Sequence, residues 1–186
     1  WVYLLLVPAA AMRLWSEERR THTIELLLTL PVTPWQAIAG KYLAALVFLA
    51  AGLALTFPMV VTVAWLGSPD PGPIVTGYLG ALLLAGTYLA VGVCTSAMTR
   101  NQVISFVLAL VACLALLLAG WPPVQDLFAR WAPDWLAGAV ASVGFMPHFD
   151  QMVRGVVDVR DVLYFATLPA VLLFGAFLVL DNRRAS

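Results

Sequence analysis

Apolar residues in this chain fall into long unbroken runs. Four of them are full-length, covering residues 42–66, 74–98, 103–119 and 162–180. At about 1.5 Å rise per residue they would measure roughly 25 to 37 Å as helices, against a hydrocarbon core of about 30 Å. Backbone groups in lipid must find partners within their own segment, so runs of this kind predict transmembrane helices. A membrane barrel would need alternating polarity, which is absent. A further apolar run opens the chain at residues 1–11, Trp1-Val-Tyr-Leu-Leu-Leu-Val-Pro-Ala-Ala-Ala11. No charged segment precedes it, so it reads as the end of a helix whose start is missing, and not as a signal peptide. The expectation is one N-terminally truncated transmembrane domain over residues 1–186: an all-α, polytopic helix bundle with one partial and four full spans.

The stretches between the runs differ in kind. Gly67-Ser-Pro-Asp-Pro-Gly-Pro73 is a helix-breaking turn, and Thr99-Arg-Asn-Gln102 a polar one. Residues 12–41 are more structured. Ser16-Glu-Glu-Arg-Arg20 is a charged cluster directly after the first run. In the following Thr23-Ile-Glu-Leu-Leu-Leu-Thr-Leu-Pro31, Thr23 can cap a short helix with Glu25 in its first turn. Ile24, Leu27 and Leu28 share one face, and Pro31 ends the helix after about two turns. Thr33-Pro-Trp-Gln36 has the capping-box pattern with Pro34 at the first helical position. A helix starting there has no stop signal before Pro58. Carried on to Leu66 it would be roughly 50 Å long, with a kink at Pro58.

Composition agrees with the pattern and adds an orientation. Hydrophobic residues make up 62% and charged residues 11%, too few to cover a water-facing surface. Loops must alternate sides of the membrane. Residues 12–41, 99–102 and the tail 181–186 share one side and hold seven of the ten basic residues: Arg13, Arg19, Arg20, Lys41, Arg100, Arg183 and Arg184. Arg130, Arg154 and Arg160 lie on the other. The positive-inside rule makes the first side cytoplasmic, and with it the C-terminus. A formal net charge of zero suggests no nucleic-acid partner. Cys94 and Cys113 both sit inside apolar runs and read as small apolar residues, with no Cys/His cluster to hold a metal.

On physics alone, residues 12–41 are either an interfacial loop that reverses the chain or a docking element that passes motion through a stiff elbow into a membrane helix. The segment Glu18-Arg-Arg-Thr-His-Thr-Ile-Glu-Leu-Leu-Leu-Thr-Leu-Pro-Val-Thr33, followed by Gly40-Lys41, resembles the stretch between the second and third membrane helices of ABC-2-type transporter permeases. The closest resemblance is to the branch with gliding-motility-associated and nitrous-oxide-maturation permeases; His22 stands where that pattern has Gly. The resemblance extends over the whole chain. It implies six membrane helices, of which the first is absent here, and a permease subunit of an exporter-type ABC transporter in the cell membrane. It further implies a coupling helix near residues 21–30 that docks on a cytoplasmic ABC ATPase, and a homodimer or heterodimer of permease subunits. Contact residues on this basis are Glu18, Arg19, Arg20, Thr23, Glu25 and Leu27, with Arg100 and Asn101 secondary. The chain holds no G-x-x-x-x-G-K-[ST] segment, so ATP hydrolysis is expected on a separate polypeptide. No catalytic residue and no cofactor is expected in this one.

Residues 121–161 predict two interfacial or re-entrant helices on the extracytoplasmic side, one from Val124 to Trp131 and one from Trp135 to Val143, split by Pro133 and rich in aromatics. His148, Asp150, Asp158 and Asp161 lack recognised ligand spacing and read as solvated loop residues. Arg154 and Asp158 are spaced to pair on a surface helix. The spans carry no charge in their middles, which disfavours an ion-coupled carrier. Their polar groups are Thr56, Thr62, Thr87, Thr95, Ser96 and Ser105, and the second full span has small residues for close packing, among them Gly77, Gly80, Ala81, Ala85 and Gly86. The alternative function is a structural or mechanotransmitting subunit with the same fold that moves no solute.

Overall fold

A computed structural model describes residues 1–21, 33–131 and 133–182. Every regular element among them is an α-helix. The order is α1 (Val2–Ala11), α2 (Arg13–Arg20), α3 (Pro34–Ala54), α4 (Phe57–Leu66), α5 (Pro71–Met98), α6 (Gln102–Ala119), α7 (Pro122–Trp131), α8 (Asp134–Val143), α9 (Met146–Val153) and α10 (Val159–Asn182). The expected short helix within 23–30 lies outside the described residues, as do Arg183 and Arg184. Among the described residues, four spans are long and apolar enough to cross a membrane: α3 with α4 taken together, α5, α6 and α10. The all-α polytopic fold is therefore the observed one.

Local chemistry explains the helix boundaries. Thr33 and Gln36 form the full capping box at the start of α3: Gln36 N–H donates to Thr33 Oγ1 at 3.3 Å, and Thr33 N–H to Gln36 Oε1 at 3.1 Å. The long helix breaks between Ala54 and Phe57. Pro58 cannot donate to the Ala54 carbonyl one turn back, and its ring crowds that carbonyl. Thr56 Oγ1 donates to Leu53 O at 2.7 Å across the break. α5 starts at Pro71, earlier than the apolar run at 74, because Asp70 caps it through Gly72 N–H at 3.0 Å and Pro71 needs no amide partner. Asp158 does the same for α10, accepting from Arg160 N–H at 3.1 Å, so that helix begins at Val159 instead of 162.

Two expectations about the segment 121–161 change. A third short helix, α9, follows the two foreseen. Arg154 and Asp158 do not pair on a helix: α9 ends at Val153, and Gly155, with φ of +89°, turns the chain away before Asp158. That left-handed conformation suits glycine, and Pro73 closes the space a side chain would need.

α5 is the mast of the bundle. Half of its most apolar window is buried, against 6% for α3 with α4. It contacts α1, α2, α3, α6, α9 and α10. Lipid gives helices no hydrophobic drive to associate, so close approach and hydrogen bonding must hold them together. Glycines supply the approach. Gly80 meets Met152, Gly86 sits under the Tyr42 ring whose hydroxyl donates to Gly86 O at 3.1 Å, and Gly92 lies against Ala11. α10 buries Asp161, Phe165, Pro169, Leu173, Ala176 and Leu180, a stripe of three- and four-residue steps. α6 buries Ser105, Ala109, Cys113 and Leu117 and leaves Val103, Val107 and Val111 exposed, as suits a lipid-facing helix. No residue of α4 is buried.

A Cβ on Gly92 would overlap that of Ala11. Gly92→Ala should therefore destabilise the protein by about 1–3 kcal/mol through overpacking. Adding Ala11→Gly should restore much of the loss, because the clash is between two side-chain methyls. Thermal unfolding of both variants in detergent checks this; equal losses in the single and double variants would contradict it.

Candidate functional site

A group of polar side chains converges at one end of α5. Ser96, wholly buried, is the centre. Its hydroxyl accepts from the backbone N–H groups of Trp15 and Ser16, both at 3.0 Å, and donates to Met12 O at 3.1 Å. These are first-turn amides of α2, whose own cap position, Met12, has no side-chain acceptor. A helix start buried in apolar surroundings needs a partner for those amides. Ser96 supplies it from a helix some 80 residues further on.

Around that contact, α2 is fastened on two more sides. Arg19, 6% exposed, donates through Nη1 to Ala97 O. Lys41, from the second turn of α3, donates to Leu14 O at 2.7 Å, lies 2.5 Å from Glu18 Oε2 and stands 3.8 Å above the Trp15 ring. Trp15 is 1% exposed. The Lys41 ammonium thus satisfies a carbonyl, a carboxylate and a ring face together, which compensates its partial removal from water. Arg20 bonds Glu17 Oε1 at 2.8 Å on the outer face. Arg19 and Arg20 also occupy the last turn of α2, where cations suit the helix C-terminus.

Beside this junction is a cleft of about 300 Å³ lined by Arg20, Arg100, Asn101, Gln102 and Val103. Asn101 caps α6 through Val103 N–H at 2.9 Å. Of the contact residues expected from the sequence, the fold brings Glu18, Arg19 and Arg20 together on α2, and Arg100 and Asn101 next to Arg20. Arg19 is turned into the bundle, and Glu18 toward Lys41. Thr23, Glu25 and Leu27 lie outside the described residues. In the sequence Lys41 stands out only as a basic residue of the Gly40-Lys41 pair and Ser96 only as a polar residue within a span. Their joint role depends on contacts between distant segments, which no local pattern shows.

At the other end of α5, His148 and Asp161 come together, Nδ1 to Oδ1 at 2.6 Å, with Asp161 2% exposed. The expectation that both are solvated loop residues is overturned: the early start of α10 carries Asp161 into a helix and under α9. Cys94 and Cys113 are free thiols. No cluster of metal-binding side chains occurs among the described residues.

A chain of membrane helices with a charged, buttressed connection at one end defines a polytopic membrane protein. The comparison with known families then narrows it: the family described as ABC-2 family transporter protein matches residues 5–132. The chain belongs to the ABC-2 transporter family and is a membrane permease of an ABC transporter. No curated protein and no solved structure matches it.

Ser96→Ala would leave two α2 amides without their acceptor. The expected cost is about 2 kcal/mol, since a buried unsatisfied N–H costs roughly 1–3 kcal/mol and a lost cap about 1 kcal/mol. Thermal unfolding should show the loss. Protection of the α2 amides from hydrogen exchange should fall with it, whereas that of α10 should not.

Proposed function

We propose that residues 12–41 are the cytoplasmic coupling segment of this permease and pass the closing motion of a separate ABC ATPase into the membrane helices. What carries the reading is that the chain is locked immediately before and after the stretch 22–32. Before it, α2 is held to α5 by Ser96 and Arg19 and to α3 by Lys41. After it, the capping box at Thr33 starts α3 without slack. A push on the intervening residues would be delivered to α3 and α5.

In this reading Glu18, Arg20, Thr23, Glu25 and Leu27 meet the ATPase, and Arg100 and Asn101 add a secondary contact across the cleft. Arg19 belongs to the same set and anchors the platform from beneath. The basic end faces the cytoplasm, which places the C-terminus there and residues 121–161 outside. The α3–α4 face, almost unburied within the chain, is where a second permease subunit would pack to complete a dimer. The mid-span regions lack charged groups, in keeping with a path driven by ATP and not by an ion gradient, and with export of an apolar or amphipathic solute.

Affinity purification of the full-length protein from its own host should recover the ATPase. Glu25→Arg combined with Leu27→Asp should lower the recovered ATPase about tenfold or more, which is about 1.4 kcal/mol of binding. Lys41→Met should leave the ATPase bound but reduce ATP-driven transport in vesicles, since only the link to α3 is cut. Absence of any ATPase, or indifference of binding and transport to all three changes, would refute the proposal. An ATPase that binds and is stimulated while no solute moves would favour the mechanotransmitting alternative.

A further inference from the structure

Arg100 stands in the turn 99–101, which joins two helices able to cross a membrane: α5 ends at Met98 and α6 starts at Gln102. So short a turn between two spans stays at the membrane boundary, the depth of lipid headgroups. Arg20, the last residue of α2, lines the same cleft. It gives one N–H to Glu17 Oε1 at 2.8 Å, and its side chain is 66% exposed. A guanidinium carries about five N–H donors, so most of those on Arg20 are left for another acceptor. Among the described residues the Arg100 side chain makes no hydrogen bond or ion pair.

The cleft between the two arginines measures about 300 Å³, and among the described residues no carboxylate lines it. Glu17 is bound to Arg20, and Glu18 is turned to Lys41. Asn101 Oδ1 already accepts from Val103 N–H, so what the Asn101 side chain still offers is its amide donors. α6 begins here, and the start of a helix adds partial positive charge. Two guanidiniums, amide donors and a helix start with no opposing carboxylate make a seat for an anion.

The cleft also has an apolar side, and that side distinguishes between anions. Val103 lines the cleft and is 67% exposed. It heads a stripe on α6 of Val103, Val107 and Val111, flanked by Ile104 and Leu108, all of them exposed. Eight residues of helix make that stripe about 12 Å long, most of the half-thickness of a hydrocarbon core of about 30 Å. A carboxylate from a protein partner would use the guanidiniums and leave the stripe bare. A phospholipid uses both.

We propose that this cleft binds the phosphate of an anionic phospholipid, with the acyl chains lying along the exposed stripe of α6. Basic pockets between membrane helices suit such headgroups, and each guanidinium can meet two phosphate oxygens at once. A zwitterionic lipid would bring its own ammonium toward two arginines, which disfavours it. Held there, the lipid bridges the end of α2 to the α5–α6 turn, beside the fastenings made by Ser96 and Arg19. The ATPase contact proposed for Arg100 and Asn101 would be made over that lipid.

Native mass spectrometry of the full-length protein in a neutral detergent tests this, by titration with phosphatidylglycerol and separately with phosphatidylcholine of the same acyl chains. Phosphatidylglycerol should bind more tightly by about fivefold or more. Arg20→Gln and Arg100→Gln should each weaken its binding about fivefold, and the two together about thirtyfold, as expected for basic residues near a lipid surface. Arg100→Lys keeps the charge and should retain most of the affinity. Arg130→Gln, at the other end of the bundle, should bind as the unaltered protein does. Arg20 and Arg100 are both exposed, so thermal unfolding without lipid should be the same for all these variants. No preference for phosphatidylglycerol, or a preference that survives both glutamine substitutions, would overturn the proposal. So would displacement of the lipid by inorganic phosphate alone, which would make the cleft a free-anion site. Unchanged lipid binding by Arg100→Gln together with weaker recovery of the ATPase would assign the cleft to the protein partner and overturn it too. The titration involves no ATPase, so its failure would leave the coupling proposal standing.

Discussion

A buried backbone amide must be given an acceptor, and in lipid no water is available to provide one. This constraint organises the bundle more than hydrophobicity does, because the lipid is as apolar as the helices. Within a span the helix meets the requirement for itself. At helix ends it cannot, and the ends are where this protein places its polar side chains. Thr33, Asp70, Asn101 and Asp158 each cap the helix that follows them. The start of α2 has no such neighbour, and its amides are accepted by Ser96. One hydroxyl thereby converts what would be a loose link after α1 into a fixed elbow against α5. The positions of Arg19 and Lys41 follow from that elbow.

The same division explains what could be read from the sequence. The spans, the capping box at Thr33-Pro-Trp-Gln36 and the kink at Pro58 are local or compositional, and each is found in the structure. The helix starts at Pro71 and Val159 were placed a few residues late because apolar character marked the element, whereas Asp and Pro caps extend a helix into polar sequence. α9 was missed for a related reason: Met146-Pro-His-Phe-Asp-Gln-Met-Val153 is too short and too mixed to show a period. The candidate sites were legible only in part. Glu18, Arg19 and Arg20 were found as a charged run, but Ser96 and the pairing of His148 with Asp161 arise from segments brought together by packing. A lone serine in a span and a lone histidine in a loop carry no local signal of such partners.

The two ends of α5 differ in a way that bears on how the protein works. At the basic end α2 is tied to α5 through the Ser96 hydroxyl and the Arg19 guanidinium, and to α3 through the Lys41 ammonium. At the far end, the first turn of α10 is joined to α9 by the hydrogen bond between His148 and Asp161. The two sets of contacts are joined by a single helix, α5.

Such an arrangement limits where conformational change can enter. α5 cannot bend easily, since Gly80, Gly86 and Gly92 bring it into direct contact with α9, α3 and α1 along its length. Under the proposed coupling, motion passed to α2 and α3 would move α5 as a unit or turn α3 about its break near Pro58. The second is the softer mode. α4 has no buried residue, and the groove of about 480 Å³ between it and α5 is lined mainly by apolar side chains, with Thr56 and Tyr78 hydroxyls bonded to each other at 2.8 Å. A helix free of packing on one side of a proline break can swing without breaking buried contacts. The proline and the unburied helix beyond it therefore form the compliant element of a bundle otherwise held by glycine contacts, and they follow directly on α3, the helix that the capping box starts.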